Sequence, residues 1–362
     1  MIACMIKHAA PINPNKEPAE ISRRNLIKTG FAAVACLGLP TSVQAMSSTP
    51  LSKETAVFSK EEIAAALEKD FKLDQTETLR LLESAEYIPS IIRRITTPYE
   101  SKPYALYRPL FVYRGLADKG QKYIETHRTI FDAAMQKYGV EPEIIAAILG
   151  METRFGSNRG NDRVLDSLYT LAAGFPRRAE FFRNELGHFL LMCKEEKLDP
   201  KEVLGSYAGA FGTTQFIPSS FRQYAVDADK DGRRDVFDSP TDIIHSVAHY
   251  FYRYGWETGR PIANWLPSIP YTAWMKKAQK RETRDWYTLA ELRRRGLKNV
   301  PEGWNDDDKV SLIVSQTALG RKVALVHHNF HVITRWNRSY NYALAASELA
   351  GMMGCDSCIV QR

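Results

Sequence analysis

Glu152 closes the stretch Pro142-Glu143-Ile144-Ile145-Ala146-Ala147-Ile148-Leu149-Gly150-Met151-Glu152 and continues the stripe of Ile145, Ile148 and Leu149 at i+7, i+4 and i+3. A carboxyl on the apolar face of a helix is partly desolvated, which favours its neutral form and lets it hold a proton near neutral pH. A general acid for an acetal bond has that requirement. A helix-end glutamate paired with Arg154, or turned to solvent beyond Gly150, fits the same spacing.

Two further constellations carry chemistry. The segment Gly205-Ser206-Tyr207-Ala208-Gly209-Ala210-Phe211-Gly212-Thr213-Thr214-Gln215-Phe216-Ile217-Pro218-Ser219 joins glycines, which permit close backbone approach, to hydroxyls and an amide suited to sugar binding. A tight interhelical loop has the same composition. The run Asp227-Ala228-Asp229-Lys230-Asp231-Gly232-Arg233-Arg234-Asp235-Val236-Phe237-Asp238 places acids at loop positions 1, 3, 5, 9 and 12, Gly at 6 and Arg233 where a backbone carbonyl is needed, as in an EF-hand Ca²⁺ loop. Asp238 stands where the long bidentate Glu is usual. A solvated acidic turn paired with Lys230 and Arg234 is the alternative, and Ca²⁺ here would be structural, being a poor catalyst for acetal cleavage. His245 and His249 are four apart, but Ser246 stands where a zincin has its glutamate. These and His327, His328 and His331 read as ordinary, partly exposed histidines.

The elements that must position these groups are mostly helical. Helical spacing covers Lys60 to Lys69 and Gln75 to Ser84, with Thr97-Pro98 and Lys102-Pro103 as punctuation. One helix carries Ile124, Phe131, Ala134, Met135 and Tyr138 on one side and stops at Gly139, and Pro142 begins the next. Further helices are predicted over Ala179 to Glu196, Ser219 to Val226, Thr241 to Tyr254 and Tyr340 to Met353. Between Thr258 and Val326, prolines 261, 267, 270 and 301 and the β-prone runs Lys309 to Ser315 and Lys322 to Val326 mark a small sheet-containing insertion.

The 362 residues suffice for a full core, and 44% hydrophobic with 25% charged residues is ordinary for a globular chain. The net charge of +7 falls to +4 once residues 1–45 are set aside, with 44 basic and 40 acidic side chains left interspersed, so nucleic acid is not an expected partner. Those 45 residues resemble a twin-arginine export signal: Ser22-Arg23-Arg24-Asn25-Leu26-Ile27-Lys28, an apolar run from Phe31 to Leu39 too short to span a bilayer, and Val43-Gln44-Ala45 for cleavage. Ala33-Val34-Ala35-Cys36 is a poor lipoprotein box, so membrane attachment would require lipidation of Cys36. A polar stretch follows at Ser47 to Lys53. Cys355-Asp356-Ser357-Cys358 stands alone near the C-terminus and reads as a local disulfide.

Four separated motifs, Glu152-Thr153-Arg154-Phe155-Gly156, Phe175-Pro176-Arg177-Arg178-Ala179-Glu180, the Gly205 to Ser219 segment and Phe330-His331-Val332-Ile333-Thr334-Arg335-Trp336-Asn337-Arg338-Ser339, together resemble the lytic murein transglycosylase B family, glycoside hydrolase family 103. The match runs in order from about Tyr107 to Tyr342. The resemblance implies a mainly α fold: a helical N-terminal region (46–106), a lysozyme-like helical catalytic domain (107–257), a small inserted β domain (258–328) and a C-terminal helix returning to the body (329–362). It also implies cleavage of the β-1,4 bond from N-acetylmuramic acid to N-acetylglucosamine in peptidoglycan strands, leaving 1,6-anhydromuramic ends; with the export signal, a periplasmic monomer without a catalytic cofactor is expected. Glu152 would be acid and base; Ser206 and Gln215 would touch the reacting sugar. Tyr107, Arg177, Arg178, Phe216, Tyr250, Trp336, Asn337 and Tyr342 would line the groove. Trp336 replaces a usual Tyr, retaining stacking but not a phenolic hydrogen bond. Family members enlarge the metal loop, so Asp242 competes with Asp238 to close it.

Ordinary glycosidases need two carboxyls. A transglycosylase needs one, because the substrate's N-acetyl group and 6-hydroxyl replace the second. A hydrolytic muramidase on this scaffold would need a partner acid, for which Glu180 and Glu185 are the candidates; a non-catalytic peptidoglycan-binding protein would need neither.

Overall fold

In the computed structural model, which describes residues 57–96, 102–266, 272–276, 286–298, 300 and 303–359, local signals set most helix ends. The expected export signal, Cys36, the polar stretch from Ser47, Thr97-Pro98 and prolines 267, 270 and 301 lie outside the described residues. Ser59 opens α1 (Lys60–Phe71) with a reciprocal capping box to Glu62, and the Asp74 carboxylate accepts Glu77 N–H at the start of α2 (Gln75–Glu83). Helices α3 (Pro89–Thr96) and α4 (Tyr104–Tyr107) follow, the latter running into a 3₁₀ turn at Arg108–Leu110.

The helix expected through Ile124 and Tyr138 is two helices. His127, at φ −115° and ψ 30°, leaves the helical basin between α5 (Arg114–Thr126) and α6 (Arg128–Tyr138), and Tyr123 packs its ring against both His127 and Phe131 across the break. Left-handed Gly139 (φ 71°) ends α6, and Pro142 occupies the first turn of α7 (Pro142–Thr153). Every residue of α7 from Ile144 to Met151 is buried, and the helix packs against α5, α6 and the last helix of the chain. Helix α8 (Val164–Gly174) has no counterpart among the expected elements, because residues 164–173 are buried on every side and leave no polar face to mark a period. Then come α9 (Ala179–Glu195), α10 (Pro218–Tyr224) and α11 (Pro240–Arg253), close to the expected bounds.

A two-residue pairing of β1 (Asp162–Arg163) with β2 (Leu204–Gly205) ties the start of α8 to the glycine-rich segment. The second sheet is antiparallel, in the order β3-β6-β5-β4, from β3 (Ala263–Trp265), β4 (Tyr287–Thr288), β5 (Lys309–Thr317) and β6 (Gly320–Val326), with α12 (Leu289–Arg294) after β4. Alternation explains its long apolar runs. Val310, Leu312, Val323 and Leu325 enter a small core of their own with Leu289, Leu292 and Trp304, whereas Ile313, Ala324 and Val326 enter the main one.

The chain then returns through α13 (His328–Trp336) and α14 (Tyr340–Met353), which packs on α5 and α7. The main core draws on Leu67 and Leu82 near the N-terminus as well as Ile148, Phe182, Phe251, Trp336 and Leu349. The Cys355–Cys358 disulfide closes the turn after α14 and seats Ile359 in that core. Cys193 is free and buried. Among the described residues no helix is long and apolar enough to cross a membrane.

Candidate active site

Glu152 lies in the last turn of α7, where the carbonyl end of the helix dipole disfavours an anion. Its Oε1 accepts the Tyr342 hydroxyl at 2.8 Å and the Trp336 indole N–H at 3.1 Å, from residues 190 and 184 positions away. An indole N–H is a donor only. Burial, then the adjacent Glu152 charge and hydrogen bond, hold the Tyr342 phenol well above its usual pKa, so it too stays a donor. Both contacts therefore fix Oε1 as an acceptor and set the plane of the carboxyl. Arg154, the alternative partner, sits exposed in a left-handed conformation (φ 52°) that ends the helix.

Aromatic rings support this pair of donors. Trp336 packs against Phe216 (5.1 Å), Tyr250 (4.8 Å, edge-on) and Phe251 (5.6 Å), and the Tyr250 hydroxyl donates to the Arg335 carbonyl at 2.7 Å. Tyr107 lies against Phe111, close enough to Tyr342 to add to the upward push on its phenol. Phe216, Trp336 and Tyr342 are at most 1% exposed, so these rings are packed behind the carboxyl.

The glycine-rich segment is clamped between the end of α7 and the acidic loop. Thr153 Oγ1 donates to the Thr213 carbonyl at 3.0 Å, and Thr213 in turn donates to the carbonyls of Val236 and Phe237. Gly212, at φ 69°, has its Cβ position 2.8 Å from the Val236 carbonyl oxygen, an approach that only glycine permits. Ser206 Oγ accepts the N–H groups of Ala208 and Ala210, which holds the turn. Gln215 is left-handed (φ 54°) without being glycine, a conformation costing about 1–2 kcal/mol. Its amide donates to the Arg159 and Gly212 carbonyls, both at 3.0 Å, and so holds it there. Asn337 is buried between α13 and α14, its Oδ1 accepting Ser339 N–H.

Arg177 and Arg178 end a 3₁₀ turn (Pro176–Arg178) before α9. Arg177 is exposed. Arg178 stacks on Phe181 at 4.1 Å, and burial followed by the neighbouring Arg338 charge lowers its pKa to about 10. One of its buried NH groups has no acceptor among the described residues and is available to a ligand oxygen.

In the acidic loop, carboxylate oxygens of Asp227, Asp229 and Asp242 lie within 4.8 Å of one another. Asp242 is fully buried at the start of α11; burial raises its pKa, while the Ala228 and Asp235 N–H groups that bond its two oxygens lower it. Asp238 instead pairs with Arg159 at 3.0 Å, 76% exposed. Asp231 accepts Arg233 N–H, capping the turn. Three hard oxygen donors from separate carboxylates fit a hard divalent cation, with Asp242 in the closing place. The histidines stand apart: His245 packs edge-on to Tyr138, His249 bonds the Tyr224 carbonyl, and His328 bonds the Gly255 carbonyl.

A family model described as "Transglycosylase SLT domain" matches residues 58–351. The chain belongs to this transglycosylase family. The membrane-bound lytic murein transglycosylase B of Escherichia coli K12 is 35% identical over 290 residues, 76% of this chain and 77% of that protein. Among solved structures, the soluble lytic transglycosylase SltB1 of Pseudomonas aeruginosa is 39% identical, with a TM-score of 0.72 over 81% of this chain and 97% of that one. The E. coli lytic transglycosylase Slt35 in complex with calcium is 33% identical, with a TM-score of 0.72 over 81% and 92%. P. aeruginosa SltB3 in complex with NAG-NAM-pentapeptide is 30% identical, with a TM-score of 0.73 over 84% and 82%. The fold is that of the lysozyme-like lytic transglycosylases.

In this transglycosylase the bond that a phenol at position 336 could have made is supplied by the indole N–H. Replacing Trp336 or Tyr342 by Phe removes one donor to Oε1. Each variant is expected to lose about tenfold in kcat, the equivalent of one hydrogen bond of about 1.4 kcal/mol, with its circular dichroism unchanged. Two full-rate variants would show that these donors do not orient the carboxyl. Glu185 is the group whose role the motifs do not reveal. It is 3% exposed on α9, and its two oxygens accept Ser219 N–H at 2.9 Å and Ser219 Oγ–H at 2.6 Å. The available signal was its place on the stripe of Phe182 and Phe189, the reasoning that singled out Glu152.

Proposed function

We propose that this chain is a lytic murein transglycosylase that cleaves the β-1,4 bond between N-acetylmuramic acid and N-acetylglucosamine and closes a 1,6-anhydromuramic ring, with Glu152 as acid and then base. The observation that carries this reading is the Glu152 carboxyl at the end of α7, oriented by two donors on Oε1. The Glu152 carboxyl protonates the glycosidic oxygen as the bond to the anomeric carbon breaks, and the substrate's N-acetyl group stabilises that carbon. The 6-hydroxyl of the same muramic residue then attacks it and returns its proton to Glu152. Intramolecular attack outcompetes water through proximity.

A hydrolase would place a second carboxyl about 5–9.5 Å from the first. Glu185 is committed to Ser219 and Glu180 is exposed, so neither suits that role. The Arg178 N–H that lacks an acceptor is assigned to substrate, with Arg177, Ser206, Gln215 and Asn337 around the groove.

Ca²⁺ would be held by Asp227, Asp229 and Asp242, the Slt35 complex with calcium being a precedent in the family. Its contribution is mechanical: the loop it steadies carries Val236 and Phe237, which hold Thr213 and so the Gly205 to Ser219 segment. We assign residues 107–257 and 329–362 to the catalytic body, 258–328 to the inserted sheet, and the site of action to murein outside the cytoplasmic membrane.

Digestion of murein in oxygen-18 water tests the reaction. The new muramic ends are expected to be anhydro and unlabelled by mass spectrometry. Stoichiometric labelling would make the enzyme a muramidase.

A further inference from the structure

We propose that Glu185 is a positioning residue for the transglycosylase reaction, setting through Ser219 where the glycine-rich segment meets Trp336 and thereby how the Glu152 carboxyl is held. The inference rests on the proposed function and extends it to a group joined to the acid through Ser219, Phe216 and Trp336.

Helix α10 has no side-chain cap of its own. Its N-cap residue is Ile217 and its first residue is Pro218, neither of which offers an oxygen to the exposed N–H groups of the first turn. Glu185 supplies that oxygen from α9, which packs along α10, and takes the Ser219 hydroxyl with its other oxygen. The two bonds fix the start of α10 in position and rotation. Immediately before it in the chain come Gln215, held left-handed, and Phe216, whose carbonyl accepts Phe211 N–H and whose ring lies 5.1 Å from Trp336. Trp336 then donates to Glu152 Oε1. The path runs from Glu185 to Ser219 by hydrogen bonds, from Ser219 back to Phe216 along the chain, and from Phe216 through Trp336 to Glu152 by ring packing and a hydrogen bond; every side chain in it before Glu152 is buried except that of Ser219, which is partly so. A carboxylate desolvated this completely is costly where a neutral amide would pack as well. Its place beside the catalytic loop therefore suits a task that needs two strong acceptors.

The charged group facing Glu185 is Arg178, from the 3₁₀ turn before α9, with Arg338 beyond it; the polar group facing it from α10 is Ser219. Burial dominates and raises the Glu185 pKa to about 7, against the lowering effects of the Ser219 hydroxyl and N–H and of Arg178. The ionised form accepts both Ser219 donors; the protonated form gives up one acceptor. The start of α10 is then held most firmly above about pH 7, which gives the path a signature in kcat.

The test compares the wild-type chain with Glu185→Gln and Ser219→Ala on a soluble glycan oligomer of alternating N-acetylglucosamine and N-acetylmuramic acid. Each variant is expected to lose about tenfold in kcat, well short of the roughly hundredfold that a 1 Å misplacement brings, with KM within about twofold and folded fraction unchanged. The double variant should be no slower than the slower single one. The wild-type kcat should rise across pH 7, and that rise should be absent in Glu185→Gln. Wild-type kcat in the folded variants, additive losses in the double variant, or a loss that tracks the folded fraction would make Glu185 a packing residue and overturn the proposal. Should Glu185→Gln fail to fold, Ser219→Ala decides alone through its kcat. Absence of anhydro product from the wild-type chain would instead fault the proposed function, leaving this inference a separate question.

Discussion

Glu152→Gln is expected to lower murein cleavage by at least about a thousandfold, roughly 4 kcal/mol of barrier, without unfolding the protein. The size follows from the double use of one carboxyl: it gives a proton to the leaving oxygen and takes one from the 6-hydroxyl, so the amide forfeits both steps. Preservation of the fold follows from the donors. Trp336 Nε1–H and Tyr342 O–H both point at Oε1, and the amide oxygen of Gln accepts both in the same place. The buried rings of Phe216 and Tyr250 keep their contacts with Trp336. Muropeptide release followed by chromatography, with circular dichroism alongside, checks both halves. Activity within about tenfold of wild type would exclude Glu152 as the sole acid and base.

The second large effect concerns the acidic loop. If Asp227, Asp229 and Asp242 hold Ca²⁺, free ion at a hundredfold excess over its Kd stabilises the chain by about 2.7 kcal/mol. Chelation should then lower Tm by about 5 °C or more. Asp242→Asn should abolish the response. It also puts an amide NH₂ against the N–H of either Ala228 or Asp235, leaving a buried donor unpaired at a further cost of about 1–3 kcal/mol. Asp238→Asn should keep the response, since it breaks only the exposed pair with Arg159, worth about 0–1 kcal/mol. The measurement is a pair of melting curves, with Ca²⁺ and with chelator, for each chain. A chelator-sensitive Asp242→Asn protein would remove Asp242 from the ion, and a wild type indifferent to chelator would remove the ion.

Loss of the ion should reach catalysis as well. Thr213 is bonded to Val236 and Phe237 on one side and to Thr153, the neighbour of Glu152, on the other. A loosened acidic loop therefore loosens the segment that carries Ser206 and Gln215, and the damage should fall on kcat before it falls on binding.

What the sequence determined by itself is what local geometry encodes. The apolar stripe that ends at Glu152, the first-turn proline of α7 and the aspartates spaced two apart in the acidic loop all depend on residues within a turn or two of each other. Even there the reading failed where the pattern lost contrast. Helix α8 is apolar on all sides, and the stripe from Ile124 to Tyr138 continues across His127 although the helix does not. The tertiary structure alone decided which groups meet the acid. Trp336 and Tyr342 reach Oε1 because α14 returns to pack against α7 with α13 packed on it, a closure of nearly 200 residues that no periodicity records. It likewise set Asp242 rather than Asp238 among the gathered carboxylates, since the start of α11 is buried under the loop while Asp238 faces solvent and Arg159. It also turned Glu185, legible only as a buried acid, toward Ser219. A side chain's direction on its own helix follows from the 3.6-residue period; its partner follows from how helices far apart in the chain share one core.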